Sequence, residues 1–197
     1  MANLFVLIFC YLLGSLPFGL IIAQRCGKDP RTEGSGNIGA TNVARVCGKG
    51  AGLWTLVLDV TKGFVAVLLA QAVSDSGFFL ALAALTAICG HMFSVFLHGK
   101  GGKGVATFVG AFLALAPGAT VLSVLVFFLA LHLYGYVSLA SLAMATALPV
   151  MLLVSGSWSV LVPTLAASAL IFWKHKDNID RLLAGTETPW KCAKPEA

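Results

Sequence analysis

The sequence predicts an all-α polytopic membrane protein of about seven transmembrane or membrane-embedded helices, with its N-terminus outside and its C-terminus cytoplasmic. Three observations lead there. Of 197 residues, 58% are hydrophobic and only 11% are charged, at a mean hydropathy of +0.92. A soluble domain has no way to hide so much apolar surface. The apolar residues gather in runs, and a hydrocarbon core needs roughly 20 of them per spanning helix. The cations fall almost entirely between those runs. Lipid offers no water to a bare backbone, so each run must be helical. The net charge of +5 therefore reads as orientation in a bilayer, and no nucleic-acid partner is expected. A single integral membrane domain over 1–197 is expected.

The first run covers 2–23. No basic segment precedes it, so it is expected to stay in the mature protein. The second covers 51–73 and the third 78–97. The stretch 105–133 is too long for one untilted helix and carries Pro117-Gly118 at its middle; 137–154 and 158–173 follow. Charge decides the count. Of thirteen Lys and Arg, five lie in the first loop, two at 98–104 and five in the tail; only Lys62 falls inside a run. The positive-inside rule puts the first loop, 98–104 and the tail in the cytoplasm. One helix over 105–133 would leave the tail on the wrong side. A proline interrupts a helix by removing a donor and clashing with the preceding turn, so a break at Pro117 restores the parity. The segment 105–116 would then be about 18 Å long at ~1.5 Å per residue, short for a full span. Trp54, Trp158 and Trp173 fall near the ends of runs, as an interfacial belt requires. The five cysteines match no zinc spacing and read as free thiols.

Three polar strips share the cytoplasmic side. The first, "GSGNIGATNVAR" at 34–45, has glycines that allow close backbone approach and amides suited to an anion-binding nest. Ser35, Gly36, Asn37, Thr41 and Asn42 are candidate ligands there, and Arg45 adds a fork that fits phosphate. Ser35 is flanked by Glu33 and Asn37 rather than by the glycines of a nucleophile elbow, so it reads as a ligand. The second, "HGKGGKGVAT" at 98–107, opens an apolar helix whose first amides and dipole face the loop. Gly101, Gly102, Lys103, Gly104 and Thr107 are the candidates. Lys103 is followed by Gly104 rather than Ser or Thr, so this is no nucleotide-hydrolysing loop. The third, "KHKDNIDRLLAGTE" at 174–187, puts His175, Asn178 and Leu182 on one helical face. The imidazole can accept a proton near neutrality, so His175 is the catalytic candidate, with Asn178 orienting it or a substrate hydroxyl. Each strip also has a plainer reading, as a polar connector, a topology anchor or a boundary histidine. Their shared face favours a site.

Asp59 and Lys62 are i, i+3 neighbours inside the second run. Unpaired charges in lipid are costly, so they are expected to pair, with Lys62 also a candidate for lining the site from below. His91 reads as a buried hydrogen-bonding histidine.

The chain resembles the bacterial acyl-phosphate:glycerol-3-phosphate acyltransferases, the PlsY family. The resemblance rests on "YLLGSLPFG" at 11–19, "LDVTKG" at 58–63 and "GHMFSVF" at 90–96, together with the three strips, all in the family's order. One departure is Ser94, where the family usually has proline. The resemblance implies transfer of a fatty acyl group from acyl phosphate to the 1-hydroxyl of glycerol 3-phosphate. The products are 1-acylglycerol 3-phosphate (lysophosphatidic acid) and phosphate, in the first acylation of phospholipid synthesis. It implies a multi-pass protein of the bacterial inner membrane, with its site facing the cytoplasm and the strip at 101–107 holding glycerol 3-phosphate. An acyl phosphate is already activated, so no cofactor, metal or protein nucleophile is expected. The proton acceptor is left open between His175 and a substrate phosphate. A transporter would place its site between repeated halves near the midplane, and no repeat is visible.

Overall fold

The computed structural model describes residues 1–190; Lys191, Cys192 and Lys194, counted above, lie outside them. The described residues form ten α-helices and one 3-10 turn. In order these are α1 (Ala2–Ser15), α2 (Phe18–Arg25), α3 (Ala40–Cys47), α4 (Lys49–Gln71), α5 (Gly77–Met92), the turn Val95–Leu97, α6 (Val105–Leu115), α7 (Pro117–Tyr134), α8 (Val137–Val154), α9 (Trp158–Lys174) and α10 (Lys176–Leu183). Five stretches are long and apolar enough to cross a membrane: Ala2–Arg25, Lys49–Gln71, Gly77–Leu97, Pro117–Tyr134 and Val137–Val154. Two shorter apolar helices, Val105–Leu115 and Trp158–Lys174, complete the set. The chain is an integral membrane protein. Large apolar side chains such as Phe5 and Ile8 of α1 and Leu125 and Phe128 of α7 lie on its outside, as a lipid-facing surface requires.

The break at Pro117 is present. Ala116 alone separates α6 from α7, with φ −144° and ψ 68°, and Pro117 is the first residue of α7, where its missing N–H costs nothing. The first apolar run differs from the expectation of one continuous helix over 2–23. It breaks at Leu16, which is extended at φ −57°, ψ 119°, because Pro17 pushes its predecessor out of the helical region. Two carbonyls are released there. Leu16 O accepts from Lys62 Nζ at 2.9 Å, and Ser15 O accepts from the Ser94 hydroxyl. The bend after α5 forms without a proline at 94. Ser94 has φ −55°, an angle proline itself would fix, and its hydroxyl holds the bend against α1.

Helices approach closely where glycines face backbone. A methyl on Gly90 of α5 would come within 2.2 Å of Tyr11 O, and one on Gly63 of α4 within 2.2 Å of Thr107 O. Small residues at such crossings drive helix association in lipid. Here they press α4 against the start of α6. The core packs Ile88 and Met92 of α5, Phe108 and Phe112 of α6, Met144 and Leu148 of α8 and Ile171 of α9. That core holds the ends of α5, α6 and α9 beside one another, and the second and third polar strips are attached to those ends.

Candidate active site

The opening strip is half turn and half helix. Gly34 and Gly36 have φ of 63° and 71°, a region open to glycine, and α3 begins at Ala40. The strip was expected to be a loop throughout. It becomes helical because its last residues, "ATNVAR", lack glycine and bury Asn42 and Val43. Asn42 of α3 gathers the turn around itself. Its Nδ2 donates to Pro30 O at 2.9 Å, Glu33 O at 3.0 Å and Asn37 O at 2.9 Å, and its Oδ1 accepts from the Ser35 amide at 2.8 Å. Asn42 is thus fully engaged in shaping the strip. Ser35 and Gly36 are exposed, while Asn37, Thr41 and Arg45 are half-buried. Arg45 Nη2 donates to Thr188 O at 3.3 Å, reaching across to the far end of the chain.

The second strip is bound to the end of α5. The Gly99 amide donates to Ser94 O at 2.9 Å, Gly101 to Met92 O at 3.2 Å and Gly102 to His91 O at 3.1 Å. The last carbonyls of a helix have no partner within it, and this strip supplies donors for them. The amides of Gly101 and Gly102, expected to face an anion, are therefore committed to protein. The Lys103 ammonium, the exposed Lys100 and the first turn of α6 are the strip's remaining donors. Gly104 starts α6 at φ 81°. Thr107 is buried and its Oγ1 has no hydrogen-bond partner. The Lys103 ammonium donates to Asn178 Oδ1.

His175 lies between α9 and α10, 3% exposed, with Nδ1 2.8 Å from Ile171 O. That contact fits a proton on Nδ1 and leaves Nε2 as an acceptor. Burial, reinforced by the nearby Lys103 charge, lowers its pKa to about 4. Asn178 is buried on α10. Its Nδ2 donates to Glu187 Oε1 at 2.6 Å, beside the Ser138 hydroxyl at 2.7 Å, and Arg181 Nε donates to Glu187 Oε2 at 2.7 Å. Burial acts to raise the Glu187 pKa, but the bonds from Ser138, Asn178 and Arg181 outweigh it and hold the carboxyl below its usual value. Burial lowers the Lys103 pKa to about 8; Glu187 and Asp177 oppose the shift, while Arg181 and Arg45 add to it.

The three strips thus meet. Lys103 touches Asn178, Asn178 leads to Glu187, and Arg45 holds the residue after Glu187. Lys62 bonds to none of the three strips; its partners are Asp59 and Leu16 O. It is buried, with its ammonium 2.8 Å from Asp59 Oδ1. Ser138, Arg181 and Glu187 had no assigned role in the sequence. Arg181 and Glu187 stand inside the third strip, and an acid surrounded by cations was an available signal. Ser138 sits in an apolar run and offered none. Cys10, Cys26, Cys47 and Cys89 are free.

Comparison with known proteins identifies the family and the fold. The chain matches the family model for glycerol-3-phosphate acyltransferase over residues 4–185. It is 50% identical over 192 residues to a glycerol-3-phosphate acyltransferase of Maridesulfovibrio salexigens, covering 97% of this chain and 98% of that protein. A second, from Nitratidesulfovibrio vulgaris, is 48% identical over 97% of this chain, which spans only 59% of that relative's length. The fold matches the crystal structure of PlsY (YgiH), an integral membrane glycerol 3-phosphate acyltransferase, in its glycerol 3-phosphate form. The TM-score is 0.93 and the identity 41%, over 96% of both chains. The lysophosphatidic acid form of that protein matches at a TM-score of 0.90 and 41% identity, over 96% of this chain and 95% of the other.

Proposed function

The chain belongs to the glycerol-3-phosphate acyltransferase family, and we propose that it moves a fatty acyl group from acyl phosphate to the 1-hydroxyl of glycerol 3-phosphate. The acceptor oxygen attacks the acyl carbonyl. The carbonyl–phosphate bond breaks, the phosphate leaves with the electron pair, and 1-acylglycerol 3-phosphate forms. The observation that carries this reading is the meeting of Lys103, Asn178, His175 and Arg45 from distant parts of the chain. Both reactants bear phosphate, so the site needs cations and hydrogen-bond donors at the membrane's edge and an apolar wall for the acyl tail.

Lys103, with Gly104, Thr107 and the first turn of α6, binds the phosphate of glycerol 3-phosphate, while Arg45, Ser35 and Thr41 serve the opening strip's side of the pocket. Placing hydroxyl and carbonyl together supplies part of the ~7–11 kcal/mol available to ideal alignment, and the cations stabilise the departing phosphate. A base works best with a pKa near the operating pH. His175, at about 4 in the free protein, is suited to accept a hydrogen bond from the hydroxyl at Nε2 and hold it in line. The proton then passes to His175 or to the leaving phosphate. The site faces the cytoplasm of a bacterial inner membrane, on the side to which the basic loops point.

The test is product formation by purified protein in detergent. Radiolabelled glycerol 3-phosphate is expected to yield labelled lysolipid with acyl phosphate and none with acyl-coenzyme A. Equal yield from both donors would refute the donor assignment. Uptake into vesicles without product would point to a transporter.

A further inference from the structure

Three ionisable side chains lie buried under the second strip, and the reaction proposed above does not use them. Asp59 and Lys62 of α4 and His91 of α5 are 2%, 3% and 5% exposed. The Lys62 ammonium sits 2.8 Å from Asp59 Oδ1 and donates to Leu16 O at 2.9 Å. His91 Nδ1 lies 3.6 Å from the same Asp59 oxygen, and neither atom receives a well-aligned hydrogen bond. The three are held by charge and packing. Ionisable groups this deep in a membrane protein are expensive, so a use for them is expected.

The opposite edge of the His91 ring meets Gly102. A methyl added there would stand 2.3 Å from His91 Nε2 and 3.2 Å from Cδ2 and Cε1, all three atoms of that one ring. A methyl on Gly101 would instead meet backbone, 2.0 Å from His91 O. Both glycine amides bond to the end of α5. The strip therefore rests on the imidazole as on a stop, and the next residue along is Lys103.

We propose that His91, steadied by the Asp59–Lys62 pair, is a positioning residue that sets the height of the Gly101–Gly102 strip and so aims the Lys103 ammonium at the acceptor's phosphate. This rests on the reading of Lys103 as a phosphate ligand. Leu16 O, freed by Pro17, anchors the pair's far end, so the break in the first apolar run belongs to the same device.

The test compares Gly102→Ala in the wild-type and His91→Ala backgrounds. Three quantities are read on purified protein: the calorimetric Kd for glycerol 3-phosphate, the KM and kcat of lysolipid formation, and the melting midpoint. Contacting residues couple non-additively, so Gly102→Ala is expected to weaken Kd and KM by about ten-fold in wild type and by under about two-fold without the ring. kcat at saturation should stay within about three-fold. Gly101→Ala, whose methyl meets backbone, should fold as poorly in the His91→Ala background as in wild type. If His91→Ala does not fold, His91→Gln provides the second background, with partial relief expected. An equal cost of Gly102→Ala in both backgrounds overturns the proposal. So does a His91→Ala protein that melts earlier but binds glycerol 3-phosphate as wild type does. Wild-type protein that shows the binding pattern but makes no lysolipid would refute the reaction and leave the positioning role standing.

Discussion

The two glycine-rich strips look alike in sequence and are built on different principles. The strip at 34–45 folds on itself. Gly34 and Gly36 adopt positive φ, and one side chain, Asn42, holds the carbonyls of Pro30, Glu33 and Asn37 and the Ser35 amide. The strip at 98–107 is shaped from outside. Gly101 and Gly102 are needed for close approach to His91 and the end of α5, and their amides complete another helix's hydrogen bonds. One shape is local and depends on an asparagine. The other is tertiary and depends on a buried ring. Glycine content alone does not distinguish a turn from a contact.

Substitutions can break that contrast in order of severity. Gly101→Ala should be the most damaging. Its methyl has only backbone to displace, which belongs to the rare class costing above ~4 kcal/mol, and little folded protein should survive size-exclusion chromatography. Asn42→Ala comes next. It leaves several polar groups of the turn without partners, at about 1–3 kcal/mol for each one that stays buried. The melting midpoint should fall clearly, and Asn42→Asp, which sets a buried carboxylate oxygen against three carbonyls, should fall at least as far.

Smaller effects sharpen the functional half of the comparison. His175→Ala should lower kcat by about 10²-fold with a near-native melting midpoint; full turnover in this variant would remove its role. The mildest test is pH. With a pKa of about 8, Lys103 loses its proton as pH rises through that value. KM for glycerol 3-phosphate should therefore climb between roughly pH 8 and 9, and Lys103→Arg, which stays charged, should flatten the rise.

Much of this was legible in the sequence. The apolar runs and the break at Pro117 follow from hydropathy and charge parity, which depend on composition. The Asp59–Lys62 pair follows from i, i+3 spacing and the cost of charge in lipid. The break at Leu16 was hidden because Pro17 lies inside an otherwise continuous apolar run. The helical half of the opening strip was masked by its glycine-rich beginning. The Gly101 and Gly102 amides bond back to Met92 and His91 of α5, and Asn178 reaches Ser138 through Glu187; none of these spacings follows a helical or strand period, so no local pattern encodes them.

In the proposed enzyme, strips distant in sequence make one anion-binding site. Calorimetric titration of glycerol 3-phosphate into wild type, Arg45→Ala, Lys103→Ala and the double variant tests it most directly. One site per chain is expected, with weaker binding in each single variant and a combined loss that departs from the sum of the two. Unchanged affinity in either single variant, or strictly additive losses, would contradict it.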